Sequence, residues 1–463
     1  MNVCNPVLVI TRLLPALSLI AVIGLTTFPV TVLSQSSTGS RQRATADRVS
    51  SEAVLSQLRE AVRLLQLGKP DEAEPILRQV ISAAPGNADA HNLLGTILDQ
   101  RGQFQAAERE YRQALQLNPN LVSPLANLGV MLARTQRIAE AVDAFQSVLR
   151  VAPDHPQATI NLGLLYAAQG AYERAAQLLK RARDLQPNSF DILYNLGVSL
   201  YNLKEYDDAT VALQSASSLS PTTAESIYYL GLIAYARNQD ETAQELWERA
   251  LTIKQDYGAA NFMLGELLAK RHDYSNAKTY YEKALSQDAG KAVYHIRLGG
   301  AYLYLHDFNR AFEIFKSAAA RFPDVQEIHY FLSVAARTRG ESNLALTALK
   351  QALAINPNYA DALALFGAIL LDSGDVVEAE KLLRKAILAN SNNYNANYNL
   401  GLLLTKQRKF DEALPILQLA SKLLPENAEV HYQLFLTYSR MNRKADASQE
   451  LEIFKRLNQV EKK

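Results

Sequence analysis

Four of the seven histidines, His91, His295, His329 and His431, occupy the same place in a 34-residue period. Imidazole is the side chain most readily turned to proton transfer, metal ligation or pH sensing near neutrality. These four lie near an apolar packing face, so core or interface packing is the favoured reading and a ligand or pH-sensing role the lesser one. His155, His272 and His306 fall at predicted turns, where solvation is expected. Cys4 is the only cysteine, which excludes a paired-cysteine metal site. The chain contains no Gly-x-x-x-x-Gly-Lys-Ser/Thr phosphate cradle, no Gly-x-Gly-x-x-Gly and no His-Glu-x-x-His. Its carboxylates are scattered through the chain, and no spacing marks a catalytic pair. The expectation is a protein that is not an enzyme, with no catalytic residue, no metal and no cofactor.

The elements that carry these side chains follow from the period itself. An alanine recurs every 34 residues without a miss, at 73, 107, 141, 175, 209, 243, 277, 311, 345, 379, 413 and 447. Twelve places upstream stands a glycine in nine of the twelve units: Gly95, Gly129, Gly163, Gly197, Gly231, Gly265, Gly299, Gly367 and Gly401. Ala61, Ser333 and Phe435 fill the other three. Around Gly197 the apolar residues recur at three and four, the spacing of a helix. Glycine inside a helix costs about 0.8–1 kcal/mol relative to alanine. Nine of them forfeit on the order of 8 kcal/mol, comparable to the ~5–15 kcal/mol stability of a whole domain. The expected cause is a second helix lying against the backbone where no side chain fits, with the invariant alanine as its small matching surface. A large apolar residue follows each alanine by four, from Leu77 through Trp247 to Leu451, and a small one follows by a further turn, alanine in nine units. Gly68, Gly102, Gly170, Gly340 and Gly374 mark the end of a first helix, and prolines such as Pro119 and Pro357 close eight units.

A 34-residue helix–turn–helix unit with Leu-Gly in the first helix, Ala in the second, a large–small pair after it and a closing Pro closely resembles the tetratricopeptide repeat. The resemblance covers residues 54–461 as twelve units, beginning at 54, 88, 122, 156, 190, 224, 258, 292, 326, 360, 394 and 428. It departs at the first-helix tryptophan of the family pattern, which is here His, Leu, Ile, Asn, Thr or Gln. Ser333 in place of glycine is expected to change the curvature slightly. The resemblance implies an all-α, right-handed superhelical solenoid in which each unit buries its apolar face only on its neighbours. It also implies that first helices line a concave groove, faced by the second, fifth, sixth, ninth, twelfth and thirteenth places of each unit.

Read down the fifth place, that groove is rich in rings: Tyr194, Tyr228, Phe262, Tyr330 and Tyr398. Rigid aromatics bury much area at little entropic cost and suit an interaction surface, although they can equally fill space between neighbouring helices. The sixth place carries Asn127, Asn161 and Asn195 in successive units, and Asn399 downstream, each within Asn-Leu-Gly. Amides donate and accept, so a ladder of them can grip an extended peptide backbone; ordinary repeat filler is the competing reading. The ladder is similar to that of the repeat region of O-linked N-acetylglucosamine transferases, whose reaction is not implied here. A basic clamp for a C-terminal carboxylate, known in co-chaperones of the family, is not expected: the fifth place has no lysine and Arg297 stands isolated at the sixth, where the other arginine, Arg59, is seven repeats away.

Charge is balanced at a formal +1, without the basic stripe of a nucleic-acid binder. Residues 1–34 read as a signal peptide or membrane anchor, because Leu13 to Leu33 is a 21-residue run without charge. Cleavage and export to a periplasm, cell envelope or exterior is favoured over an uncleaved anchor at residues 13–33. Residues 35–53, rich in Ser, Thr, Gln and Arg, read as a flexible linker. The functional expectation is an exported scaffold that binds extended segments of partner proteins in its groove. The alternative is an accessory or spacer subunit of an envelope secretion or assembly machine, of polysaccharide or pilus type, or of an enzyme complex.

Overall fold

The structure, a computed structural model, describes residues 41–460. Cys4 and the apolar run at 13–33 lie outside the described residues. Among the described residues the fold is all-α: twenty-four helices follow one another, two per 34-residue repeat. Repeat 2, for example, comprises Ala88–Gln100 and Phe104–Leu117, and repeat 5 comprises Phe190–Asn202 and Tyr206–Leu219. The segment read as a linker differs from expectation in part, because helix runs from Arg41 to Gln66. That stretch has no glycine or proline before the turn, so nothing stops the first helix of repeat 1 from extending towards the N-terminus. No helix among the described residues is long and apolar enough to cross a membrane.

The chain divides into two compact units, Met1–Gln239 and Asp240–Lys463. Inside each, every periodic alanine is buried, from Ala73 and Ala107 to Ala379 and Ala413. The glycines explain themselves. A Cβ built on Gly197 would sit 2.5 Å from Leu213 Cγ, and one on Gly95 2.8 Å from the Tyr111 ring. In the second unit, Gly265 meets Tyr281 at 2.6 Å, Gly367 meets Leu383 at 2.7 Å and Gly401 meets Leu417 at 2.5 Å. The side chain that takes the glycine's space is thus the large residue four places after the alanine, not the alanine itself, whose carbonyl only lines the contact. Tyr111, Phe145, Leu213, Tyr281, Phe315 and Leu417 are all essentially fully buried there. Where serine replaces glycine, Ser333 is also fully buried, and its hydroxyl donates to the Tyr330 carbonyl at 2.6 Å.

The turn inside each hairpin is equally regular. The fifteenth place is left-handed in every repeat: Gly68, Gly102, Gly170, Gly340 and Gly374, but also Gln136, Lys204, Asn238, His272, His306, Arg408 and Asn442. After it, the next N–H closes back onto a carbonyl five residues earlier, as in Gln103 to Leu98 and Glu205 to Leu200, each 2.9 Å. That bond is the six-to-one link of a Schellman motif. It holds non-glycine residues in a region that costs them about 1–2 kcal/mol.

Alanine is ordinarily the better helix former by about 1 kcal/mol. Gly197→Ala is nevertheless expected to destabilise the first unit by about 1–2 kcal/mol, because the added methyl overpacks against a fully buried Leu213. A lowered denaturation midpoint by circular dichroism checks this. An unchanged or raised midpoint would show that the contact yields easily.

Candidate peptide-binding face of the first helices

In the first unit, the first helices of successive repeats touch one another from Ala88–Gln100 through Val122–Arg134, Pro156–Ala168 and Phe190–Asn202 to Ala224–Ala236. The second unit repeats this between Ala292–Tyr304 and Gln326–Thr338, and from Ala360–Ser373 through Tyr394–Lys406 to Ala428–Arg440. Second helices show no comparable pairing with one another. First helices therefore crowd towards the inside of each unit, and the residues at equal places along them form columns.

The aromatic column is partly a packing device and partly surface. Tyr194 stacks on Phe190 with centroids 5.6 Å apart and meets Tyr229 edge-on at 6.0 Å. Phe262 lies 4.7 Å from Tyr294 of the next repeat, filling the space between neighbouring first helices. Tyr330 packs edge-on against Phe331 and Tyr359, and Tyr398 stacks on Tyr394. Tyr194, Phe262, Tyr330 and Tyr398 keep part of their surface exposed, whereas Tyr228 is only 6% exposed and is closed off by comparison. Burial, followed by the nearby Tyr229 and Glu225, raises the Tyr194 hydroxyl well above its usual range. Burial and then Asp361 push Tyr330 up to about 12. Burial, with the charge and hydrogen bond of Glu429, does the same to Tyr398, also to about 12. At neutral pH these phenols are protonated donors.

The asparagines do not form one uniform ladder. Asn127 donates to Asn92 Oδ1 at 3.2 Å and Thr96 Oγ1 at 3.3 Å, linking it to the preceding repeat. Asn195 and Asn399 spend their Nδ2 on carbonyls of their own helices, Asp191 at 2.8 Å and Asn395 at 2.7 Å. Asn161 is 1% exposed; its Oδ1 accepts from Gln157 and its Nδ2 has no partner. Of the four basic residues at the thirteenth place, Arg134 pairs with Asp99 and Lys270 with Asp240, while Lys406 and Arg440 are exposed.

Reading down the second place adds residues that the sequence analysis left unused: Asp89, Asp191, Glu225, Glu327, Asp361 and Glu429. Their signal was a column of the same period, available without coordinates. Phe190, Tyr201, Tyr229 and Tyr394, at other first-helix places, complete the aromatic surface.

The four periodic histidines are buried and tie adjacent repeats together. Each Nε2 approaches the carbonyl six residues before it: His91 to Pro85, His295 to Ala289, His329 to Pro323 and His431 to Pro425, at 2.8–3.2 Å. Asn397 makes the same link to Ser391 at 2.9 Å. His91 and His431 also meet Glu110 and Glu450 through Nδ1 at 2.6 Å, whereas Nδ1 of His295 and His329 has no partner. His155, expected at a solvated turn, caps the helix Pro156–Ala168 by accepting from the Ala158 N–H at 3.2 Å. Among the described residues no group of three or more His, Cys, Asp or Glu is placed to hold a metal.

Models of the tetratricopeptide repeat match residues 58–121, 127–190 and 296–360, residues 166–234 and 336–400, and residues 258–290. Together they span more than half of the chain, which belongs to the tetratricopeptide repeat family. Among solved structures, the chain is similar to yeast Tom70, at 15% identity and a TM-score of 0.39, covering 85% of this chain and 97% of that one. It is similar to the Cut9–Hcn1 hetero-tetramer of the APC/C, at 13% identity and 0.44, with the same shares of the two chains. MamA of Desulfovibrio magneticus RS-1 aligns at 22% identity and 0.34, over 37% of this chain and 96% of that one. No curated protein matches the chain.

Burial lowers the pKa of His295 from its ordinary 6.5, with Arg321 acting in the same direction. The unfolded chain therefore takes up the proton more readily, so this contribution is intact above pH 6.5 and is lost as pH falls below it. His295→Asn, which imitates the Asn397 link without titrating, is expected to match the parent's stability at pH 8 and to exceed it in acid. Denaturation midpoints measured across pH check the crossover; parallel curves would show that His295 is not the source.

Proposed function

We propose that the protein is a non-enzymatic, exported scaffold that binds extended segments of partner proteins along its first-helix face. A protein-interaction role comes with the tetratricopeptide repeat family. The observation supporting this surface is the coincidence, on one inward column set, of half-exposed rings at the fifth place and amides at the sixth. Tyr194, Tyr330 and Tyr398 offer flat apolar area and protonated hydroxyls, while Asn127, Asn195 and Asn399 offer hydrogen bonds to a peptide backbone; Asn161, in the same column, lies beneath the surface. A face already rigid in the free protein loses little entropy on binding. The spacer reading draws on a different surface, the second helix Val376–Ala389, where Val377 and Leu388 are 82% and 87% exposed.

Replacing Asn127, Asn161 and Asn195 together by alanine is expected to weaken partner capture at least tenfold while helicity is retained. Crosslinking in intact cells, read by mass spectrometry, checks it. Undiminished capture, or crosslinks confined to Val377 and Leu388, would favour the spacer role. Export rests on the uncharged run at 13–33 and predicts that the protein fractionates outside the cytoplasm. Recovery solely from the cytosol would overturn it.

A further inference from the structure

We propose that the occupant of the first-helix face is a basic extended segment, each tyrosine–carboxylate pair along the face seating one lysine or arginine side chain. The inference rests on the reading of that face as the docking surface and names the chemistry of its partner.

Half of the twelve second-place residues are acidic, and none is lysine or arginine. A helix N-terminus by itself favours an acid by about 0.3–1 kcal/mol. Three of these acids also stand near the fifth-place tyrosine of the preceding repeat: Glu225 near Tyr194 in the first unit, Asp361 near Tyr330 and Glu429 near Tyr398 in the second. Asp89, Asp191 and Glu327 instead follow Leu58, Ile160 and Ile296, and Tyr228 is followed by Ala259. Each pair places a carboxylate near a tyrosine hydroxyl; a carboxylate and a neighbouring ring are the two groups that together attract a guanidinium or ammonium.

Three of the face's own cations are committed elsewhere, while Lys406 and Arg440 at the thirteenth place are exposed. Arg337 pairs with Asp372 at 2.9 Å, Lys270 with Asp240 at 2.8 Å and Arg134 with Asp99 at 3.3 Å. Among the described residues no lysine or arginine forms an ion pair with Glu327, Asp361 or Glu429, and Asp361 and Glu429 are exposed.

The repeat spacing also sets the partner's register. Packed helices lie about 8–10 Å apart, so the Tyr330/Asp361 and Tyr398/Glu429 pairs, two repeats apart, are separated by about 16–20 Å. An extended chain advances about 3.3–3.6 Å per residue, which places the two cations about five or six residues apart.

The test is selection of a random twelve-residue peptide library against the full chain. Recovered peptides are then assayed by fluorescence anisotropy on the parent and on an Asp361→Asn, Glu429→Gln double variant, whose near-isosteric changes at exposed positions keep the fold. Enrichment of lysine or arginine at that spacing, with at least tenfold weaker binding to the double variant and loss of affinity in high salt, is the expected result. Enrichment of neutral or acidic peptides would overturn the basic partner and leave the docking face standing, as would basic peptides that bind both proteins equally. Enrichment of no peptide would overturn both readings.

Discussion

The interlock of a glycine backbone with one large side chain is the contact on which the rest of this structure depends. Each missing Cβ leaves a slot that Leu213, Tyr281 or Phe315 fills in the partner helix of its own hairpin. Burying such a side chain is worth about 1.5–3 kcal/mol, more than the roughly 1 kcal/mol of helix propensity that glycine forfeits. The interlock also fixes the register of the two helices, so every hairpin presents the same faces to its neighbours. Columns follow from that. Once twelve hairpins share one internal geometry, place five stands beside place five within each unit, and recognition becomes a property of columns rather than of single residues.

The left-handed turn and the buried link between repeats serve the same end by different chemistry. A Schellman bond of 2.9 Å forces the turn irrespective of the residue that occupies it. The fourth-place histidine or asparagine then reaches back to the loop that closes the preceding repeat. One bond sets the angle inside a hairpin, and the other ties five of the hairpins to the one before. Neither depends on the aromatic or acidic columns, which leaves those columns free to vary with the partner.

The fold was legible because periodicity repeats its signal twelve times, so chance residues average out. The turn was legible only in part: five glycines announced it, while Lys204, Arg408 and five others pay a conformational penalty that leaves no mark on residue type. Histidine burial could be read from the packing face, but not the carbonyl six residues back, because that link depends on the path of the loop. For the site, the columns were visible and the exposure within them was not. Tyr228 and Tyr194 occupy equivalent places, yet one is closed over while the other stays partly open. Neighbouring rings decide that, and no single repeat contains the information.

The hydrogen-bonding polarity of the face comes from the same competition between packing and presentation. Asn195 and Asn399 turn their amide nitrogens onto their own helices, and Asn127 turns its onto Asn92 and Thr96. These three side chains present their carbonyl oxygens, and Asn195 and Asn399 each keep one N–H. The second-place carboxylates are acceptors as well, while the tyrosine hydroxyls remain donors, that of Tyr394 without a partner. Beside the second-place carboxylates an anionic ligand is disfavoured, since it would leave two acceptors opposed without a hydrogen between them. The face there favours ligands that bring hydrogens: main-chain N–H groups, guanidinium and ammonium. The carboxylates, rather than the asparagines, therefore set the sign of charge that the face favours.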